Sequence, residues 1–183
     1  MTHLTRRSLL KLTAGTCAAA LIAGAPALAA TPADTLVAAF AIDDIISLDP
    51  GEAFELSTAE VTSNTYSLLV RLDLADTSNV SPDLAESWTV SDDGKTFTFK
   101  LKPGLKFHSG NPLTAEDVEF SLERVILLNL TPAYLFQGLG WNQDNVKDMV
   151  RAVDPLTVEL TVADKYAPTY VLNLMSTVTS SIV

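Results

Sequence analysis

Thiols, imidazoles and positive charge are all scarce in this chain, and each scarcity removes a class of chemistry. Of 183 residues one is cysteine, Cys17, and two are histidine, His3 and His108. Cys17 falls in an amino-terminal segment that reads as a removable leader. The body beyond it therefore has no disulfide, no zinc–thiolate cluster and no cysteine nucleophile. Twelve Lys and Arg stand against 22 Asp and Glu. Arg6, Arg7 and Lys11 lie within residues 1–29 and no acidic residue does, so the remainder has nine basic against 22 acidic groups, a net charge of −13. Such a body is a poor partner for nucleic acid or an anionic membrane surface, since phosphate contacts need clustered Lys and Arg. A hydrolase would need a nucleophile with its base, paired carboxylates or a metal constellation. Gly-x-Ser-x-Gly is absent, and Asp92-Asp93 sits in a turn where solvation is its ordinary role. His108, beside Ser109-Gly110, has no companion donors at metal-ligand spacing and reads as structural.

The amino terminus carries an export pattern. Arg6, Arg7 and Lys11 open it, Leu9 to Leu28 is mostly apolar, and Ala27-Leu28-Ala29 offers a small-x-small cleavage site with the cut after Ala29. Thr5-Arg6-Arg7-Ser8-Leu9-Leu10-Lys11 resembles a twin-arginine signal. Gly15, Thr16, Gly24 and Pro26 interrupt the run, which argues against a permanent anchor needing about 20 predominantly apolar residues. Ala14-Gly15-Thr16 is a poor lipobox for Cys17, so a lipoprotein is the minor option. The hydrophobic fraction of 48% and mean hydropathy of +0.25 are raised by this segment.

The densest local signal lies between Leu84 and Val118. Trp88 and Val90 share one strand face, Ser91-Asp92-Asp93-Gly94 supplies turn chemistry, and Phe97, Phe99 and Leu101 alternate with Thr98 and Lys100. That is a hairpin with one apolar face. Gly94 suits a position of positive φ, and Asp92 and Asp93 are placed to bond nearby backbone N–H groups. Pro103-Gly104 ends the second strand and Ser109-Gly110-Asn111-Pro112 forms another turn. Thr114 then caps a helix, with Asp117 in a near capping box and Val118, Leu122 and Val125 as a core-facing stripe. Packing devices dominate this block, so it reads as scaffold.

Elsewhere, Thr35 to Phe40 reads as a buried strand, followed by a loop bounded by Asp43-Asp44 and Asp49-Pro50-Gly51. Ser57 to Val70 suggests a helix capped by Ser57, with apolar positions at Val61, Thr65, Leu68 and Leu69, then a short strand Leu69 to Leu72. A turn is expected from Asp76 to Pro82. Leu128 to Asp148 reads as a loop around short helical pieces. Val150 to Val153 and Thr157 to Val162 form a second hairpin about Asp154-Pro155, and Tyr170 to Met175 is helical. Neither repeats nor low-complexity stretches follow the leader. The end on Ser181-Ile182-Val183 reads as a truncation.

The Leu84–Val118 run, with Leu48-Asp49-Pro50, Asn64-Thr65-Tyr66, Leu69-Val70 and Tyr166-Ala167-Pro168, resembles the family 5 extracellular solute-binding proteins, the peptide and nickel receptors of ABC importers. The resemblance covers essentially all residues after the leader and the amino-terminal third of the family's chain. It implies an α/β, periplasmic-binding-protein-like (type II) two-lobed receptor, here only part of the first lobe plus its inserted α+β subdomain. On that basis residues 30–55 begin lobe I, 56–166 form the inserted subdomain and 167–183 return to lobe I. The implied role is non-enzymatic: a monomeric, periplasmic substrate-binding component, without cofactor or metal, that captures a peptide-like solute and delivers it to a permease and ATPase. Nickel, haem or sugar are alternative ligands, and an exported hydrolase or a sensory or chaperone module on the same fold are the rival classes. Ligand-facing positions are Phe54 and Glu55 in the loop after the first strand, Ser180 near the end, and Trp141 as a wall residue. For both aromatics the alternative is plain packing. Ser67 stands where the family often has Glu after the tyrosine, so no particular ligand is implied. With the second lobe absent, tight solute binding by the 183 residues is not expected.

Overall fold

A four-residue turn decides the register of the main sheet. The computed structural model describes residues 31–73 and 75–183; the expected signal peptide and Cys17 lie outside the described residues. The elements run α1 (Leu56–Thr65), β1 (Val70–Leu72), β2 (Val80–Pro82), β3 (Ala85–Val90), β4 (Thr96–Leu101), α2 (Ala115–Leu127), α3 (Ala133–Gln137), α4 (Val146–Met149), β5 (Val150–Asp154), β6 (Thr157–Thr161) and α5 (Pro168–Leu174). A 3₁₀ turn, Val178–Ser180, follows. Between β3 and β4, Gly94 takes φ 72° and its N–H bonds to the Ser91 carbonyl at 2.8 Å. The Asp93 carboxylate accepts the Ser91 hydroxyl at 2.5 Å and the Lys95 N–H at 3.0 Å, and these bonds, the hydroxyl's first, hold its carboxyl below the usual carboxylate range. Trp88 then faces Phe99, and Val90 faces Phe97.

β4 passes this register on. Phe97 pairs with Leu160 and Phe99 with Val158 on β6, which pairs in turn with β5, giving an antiparallel sheet in the order β3-β4-β6-β5. Phe97, Phe99, Leu101, Val158 and Leu160 share one face and are buried. Helix α2 packs against β5 and β6 through Val118, Leu122 and Val125, the stripe that the sequence spacing predicts. Each such side chain contributes about 1.5–3 kcal/mol through removal from water. The start of α2 is closed by a capping box: the Thr114 N–H donates to the Asp117 carboxylate at 2.7 Å. Asp suffices where Glu or Gln is usual because the shorter carboxylate still reaches that N–H. The second hairpin, the short helices between residues 128 and 148, and a helix over Pro168–Leu174 also agree with the sequence reading.

Three expectations need correction. Thr35 to Phe40 is not a strand: residues 31–40 hold no helix or strand, and Leu36 is 93% exposed. An apolar run becomes a strand only where a neighbour supplies a hydrogen-bond ladder and a packed face. Among the described residues the strand ladders involve only β1 to β6, and residues 31–40 belong to none of them. The second correction concerns α1, which starts two residues earlier than expected, with Glu55 rather than Ser57 at its N-cap. Its buried positions are Thr58 and Thr62, while Val61 is half-exposed and Leu56 points outward. Burying threonines is feasible because Thr62 returns its hydroxyl hydrogen to the Thr58 carbonyl at 2.8 Å. The third is Asp76 to Pro82, which is more than a turn: Val80–Pro82 pairs with Val70–Leu72 as an antiparallel ribbon.

Candidate ligand-facing site

An ion pair fixes the loop that carries two of the candidate residues. Asp49 accepts the Gly51 N–H at 2.9 Å, and its carbonyl accepts those of Glu52 and Ala53 at 3.0 and 2.8 Å, winding residues 49–53 into a tight turn. Arg124, projecting from α2, grips the same carboxylate bidentately, Nη1 at 2.9 Å from Oδ1 with Nη2 on Oδ2. The guanidinium holds the Asp49 carboxyl below the usual carboxylate range, and the carboxylate raises Arg124 in turn. A Cβ on Gly51 would stand 3.0 Å from Arg124 Nη1, so the close approach of the arginine favours glycine there.

Phe54 emerges from this turn with Ala53 buried behind it. Phe54 is 56% exposed and meets the ring of Tyr134, itself 51% exposed, edge to face at 5.7 Å and 71°. Glu55 is half-buried at the start of α1, where its carboxylate accepts the Phe54 N–H at 3.2 Å and the Thr58 hydroxyl at 3.4 Å. Both aromatic rings are thus open while the backbone beneath them is held. Tyr134 has no place among the sequence-based candidates. The signal that could have found it is helical geometry: Phe136 is fully buried in α3, and a residue two positions earlier points to the opposite side, about 200° away.

The other two candidates sit differently. Trp141 is 1% exposed, packs against Phe136 with centroids 5.4 Å apart and planes inclined at 52°, and donates its indole N–H to the Thr161 carbonyl at 2.7 Å. It is a packing anchor that ties the loop before α4 to β6, rather than an open wall. Ser180 is also 1% exposed, and its hydroxyl is spent on the Leu174 carbonyl at 2.8 Å. It lies in the 3₁₀ turn that packs against α1. The structure therefore brings together Phe54, Glu55 and Tyr134 and leaves Trp141 and Ser180 inside.

His108 is exposed at the rim of a hollow of about 530 Å³ that also has Asn64, Thr65 and Tyr66 in its walls. Among the described residues no three His, Cys, Asp or Glu side chains are grouped to hold a metal ion. Every buried side-chain polar atom among them has a hydrogen-bond partner. No helix among them is long and apolar enough to cross a membrane.

Set beside known proteins, residues 79–183 match the bacterial extracellular solute-binding proteins, family 5 Middle, over more than half of the chain. The chain belongs to this family. It is 37% identical over 144 residues to the probable D,D-dipeptide-binding periplasmic protein DdpA of Escherichia coli K12, covering 76% of this chain and 26% of that protein. To the glutathione-binding protein GsiB of the same strain it is 32% identical over 137 residues, 70% of this chain and 25% of that one. Among solved structures, the murein tripeptide binding protein MppA of Escherichia coli superposes with a TM-score of 0.63 at 27% identity, covering 75% of this chain and 28% of MppA. The fold is accordingly the α/β fold of periplasmic solute-binding proteins, represented here by part of it. The chain spans about a quarter of the length of the curated relatives it matches.

Proposed function

We propose that this family 5 solute-binding chain provides one wall of a receptor that captures a peptide-like solute outside the cytoplasmic membrane and delivers it to an ABC permease and its ATPase. Residues 30–55 would open the first lobe, 56–166 form its inserted subdomain and 167–183 lead back, with the leader directing export to the periplasm. The receptor is non-enzymatic: binding favours the closed arrangement of the lobes because the ligand touches both. The observation that carries this reading is the Phe54–Tyr134 pair, two half-exposed rings of which the first follows a turn pinned by Asp49 and Arg124. Open aromatic faces over a rigid base suit the apolar and amide surfaces of a short peptide. Related proteins whose names record D,D-dipeptide, glutathione and murein tripeptide ligands support the same solute class.

A single wall binds weakly, because a ligand half in solvent gains little from burial. Titration of the isotope-labelled chain with a di- to pentapeptide library, followed by NMR, is expected to shift Phe54, Glu55 and Tyr134 with affinities on the order of millimolar, about −4 kcal/mol. Shifts confined to other surfaces, or none for any peptide, would overturn the proposal. A submicromolar complex would instead contradict the one-wall arrangement.

A further inference from the structure

Helix α3 has five residues, too few to hold itself, since isolated helices shorter than about 12 residues are marginal in water. Yet it presents Tyr134 to Phe54. Phe136 anchors its inner side on Trp141. Its outer end is held by two tyrosines from another part of the chain. The Tyr166 hydroxyl donates to the Gly138 carbonyl at 2.9 Å, and the Gly138 N–H donates to the Tyr134 carbonyl at 3.1 Å. Tyr170 stacks on Tyr166 with centroids 5.6 Å apart and planes at 34°. A Cβ on Gly138 would stand 3.4 Å from the Tyr170 hydroxyl. Tyr166 is itself fixed from behind: Ala167 caps α5 in an extended conformation and Pro168 occupies the first turn, so the chain entering α5 has little freedom.

We infer that Tyr166 and Tyr170 are positioning residues for the ligand-facing wall, bracing the carboxyl end of α3 so that Tyr134 stays against Phe54. The inference rests on the reading of that pair as ligand-facing. It assigns to the Tyr-Ala-Pro run a role at the site instead of at the hairpin it follows. A brace of this kind acts through preorganisation: it adds no contact to the ligand and removes the cost of ordering Tyr134 when the ligand arrives.

The test is a spectroscopic one that a merely structural role would not move. Ring-to-ring NOEs between Phe54 and Tyr134 and those between Phe136 and Trp141 are recorded in the wild-type chain, in Tyr166→Phe, which removes one oxygen, and in Tyr170→Ala. The expected result is a population shift of about two- to tenfold away from the Phe54–Tyr134 contact, the range that loss of one hydrogen bond gives, with the Phe136–Trp141 NOEs intact. Unchanged Phe54–Tyr134 NOEs in both variants would overturn the inference. So would loss of the Phe136–Trp141 NOEs in Tyr166→Phe, because the hydroxyl would then be holding the core. Peptide titration of the wild type separates this from the proposed function. If no peptide shifts Phe54 or Tyr134 while the NOEs respond as expected, the brace stands and the ligand-facing reading falls.

Discussion

Two regions of this molecule bury residues in opposite ways. Around the sheet, α2 and strands β4 to β6 close on Phe97, Phe99, Leu122, Val158 and Leu160, all fully buried and apolar. At the other end, α1 packs near the turn Val178–Ser180 and the buried residues of the two are Thr58, Thr62, Thr179 and Ser180, while Phe40, Ile42, Ile46 and Leu56 are each at least 67% exposed. In the first region dispersion and the hydrophobic effect supply the stability and demand close packing. In the second, hydroxyls are satisfied by nearby backbone carbonyls, Thr62 by Thr58 of its own helix and Ser180 by Leu174 at the end of α5, so burial there yields little net free energy. The sheet region should therefore carry most of the cooperative stability and the α1 region should tolerate change.

The largest effect should come from the middle of the sheet. Phe97 is fully buried in β4, between Val90 on one side and Leu160 on the other. Phe97→Ala is expected to cost about 3–5 kcal/mol in urea unfolding, through lost transfer free energy and the cavity left behind. A loss below about 1 kcal/mol would mean that the two regions do not differ as described.

Next comes the ion pair that ties loop 49–53 to α2. Arg124→Ala leaves the partly buried Asp49 carboxylate without its partner and is expected to cost about 1–3 kcal/mol. The same pair predicts a pH dependence. The folded-state pKa of Asp49 is depressed, so its contribution is present above the unfolded value and is lost as pH falls through the folded one. Thermal midpoints between about pH 6 and 2 should fall more steeply in wild type than in Arg124→Ala below about pH 4, where an unperturbed aspartate begins to protonate. Parallel curves would remove Arg124 as the cause. A smaller loss, about 0.5–2 kcal/mol, is expected for Asp117→Ala, which opens the capping box of α2. Helix content by circular dichroism together with the urea midpoint measures it.

How far the sequence foretold the structure follows the same division. In the sheet region, turn residues, alternation and helical spacing all point one way, and Gly94, Thr114, Val118, Leu122 and the two hairpins are where local rules put them. Around α1 the pattern misleads: Val61 looks like a core position, yet the buried side is made of threonines, whose side-chain bonds to their own helix no hydropathy pattern records. The Thr35–Phe40 run fails as a strand for a related reason, since strand identity depends on a neighbour that no local rule supplies. At the proposed site, Phe54 and Glu55 are named by the family resemblance, and the turn at Asp49-Pro50-Gly51 that precedes them is legible in the residues themselves. Tyr134 is not, because its pairing with Phe54 is a contact 80 positions away in the chain. Trp141 is a wall residue by resemblance with packing as the alternative, and the packing role is what the buried ring adopts: Gly140 takes φ 86° just before it and the indole reaches Thr161.

The smallest effect is expected on the outward face of α1, and it tests the comparison from the other side. Leu56 is 87% exposed at the first position of the helix, and Val61 is 39% exposed one and a half turns on. Leu56→Ser exchanges apolar surface already in water for a hydroxyl. The transfer term that makes core substitutions costly is therefore nearly absent, and helix propensity changes by only a few tenths of a kcal/mol. The variant should unfold within about 0.5 kcal/mol of wild type, and its solubility should rise as exposed apolar area falls; Val61→Ser, at a side chain still partly covered, should cost more than Leu56→Ser. A loss above about 1 kcal/mol for Leu56→Ser would show that this side chain is covered in solution, and the α1 region would then have to be counted with the apolar core.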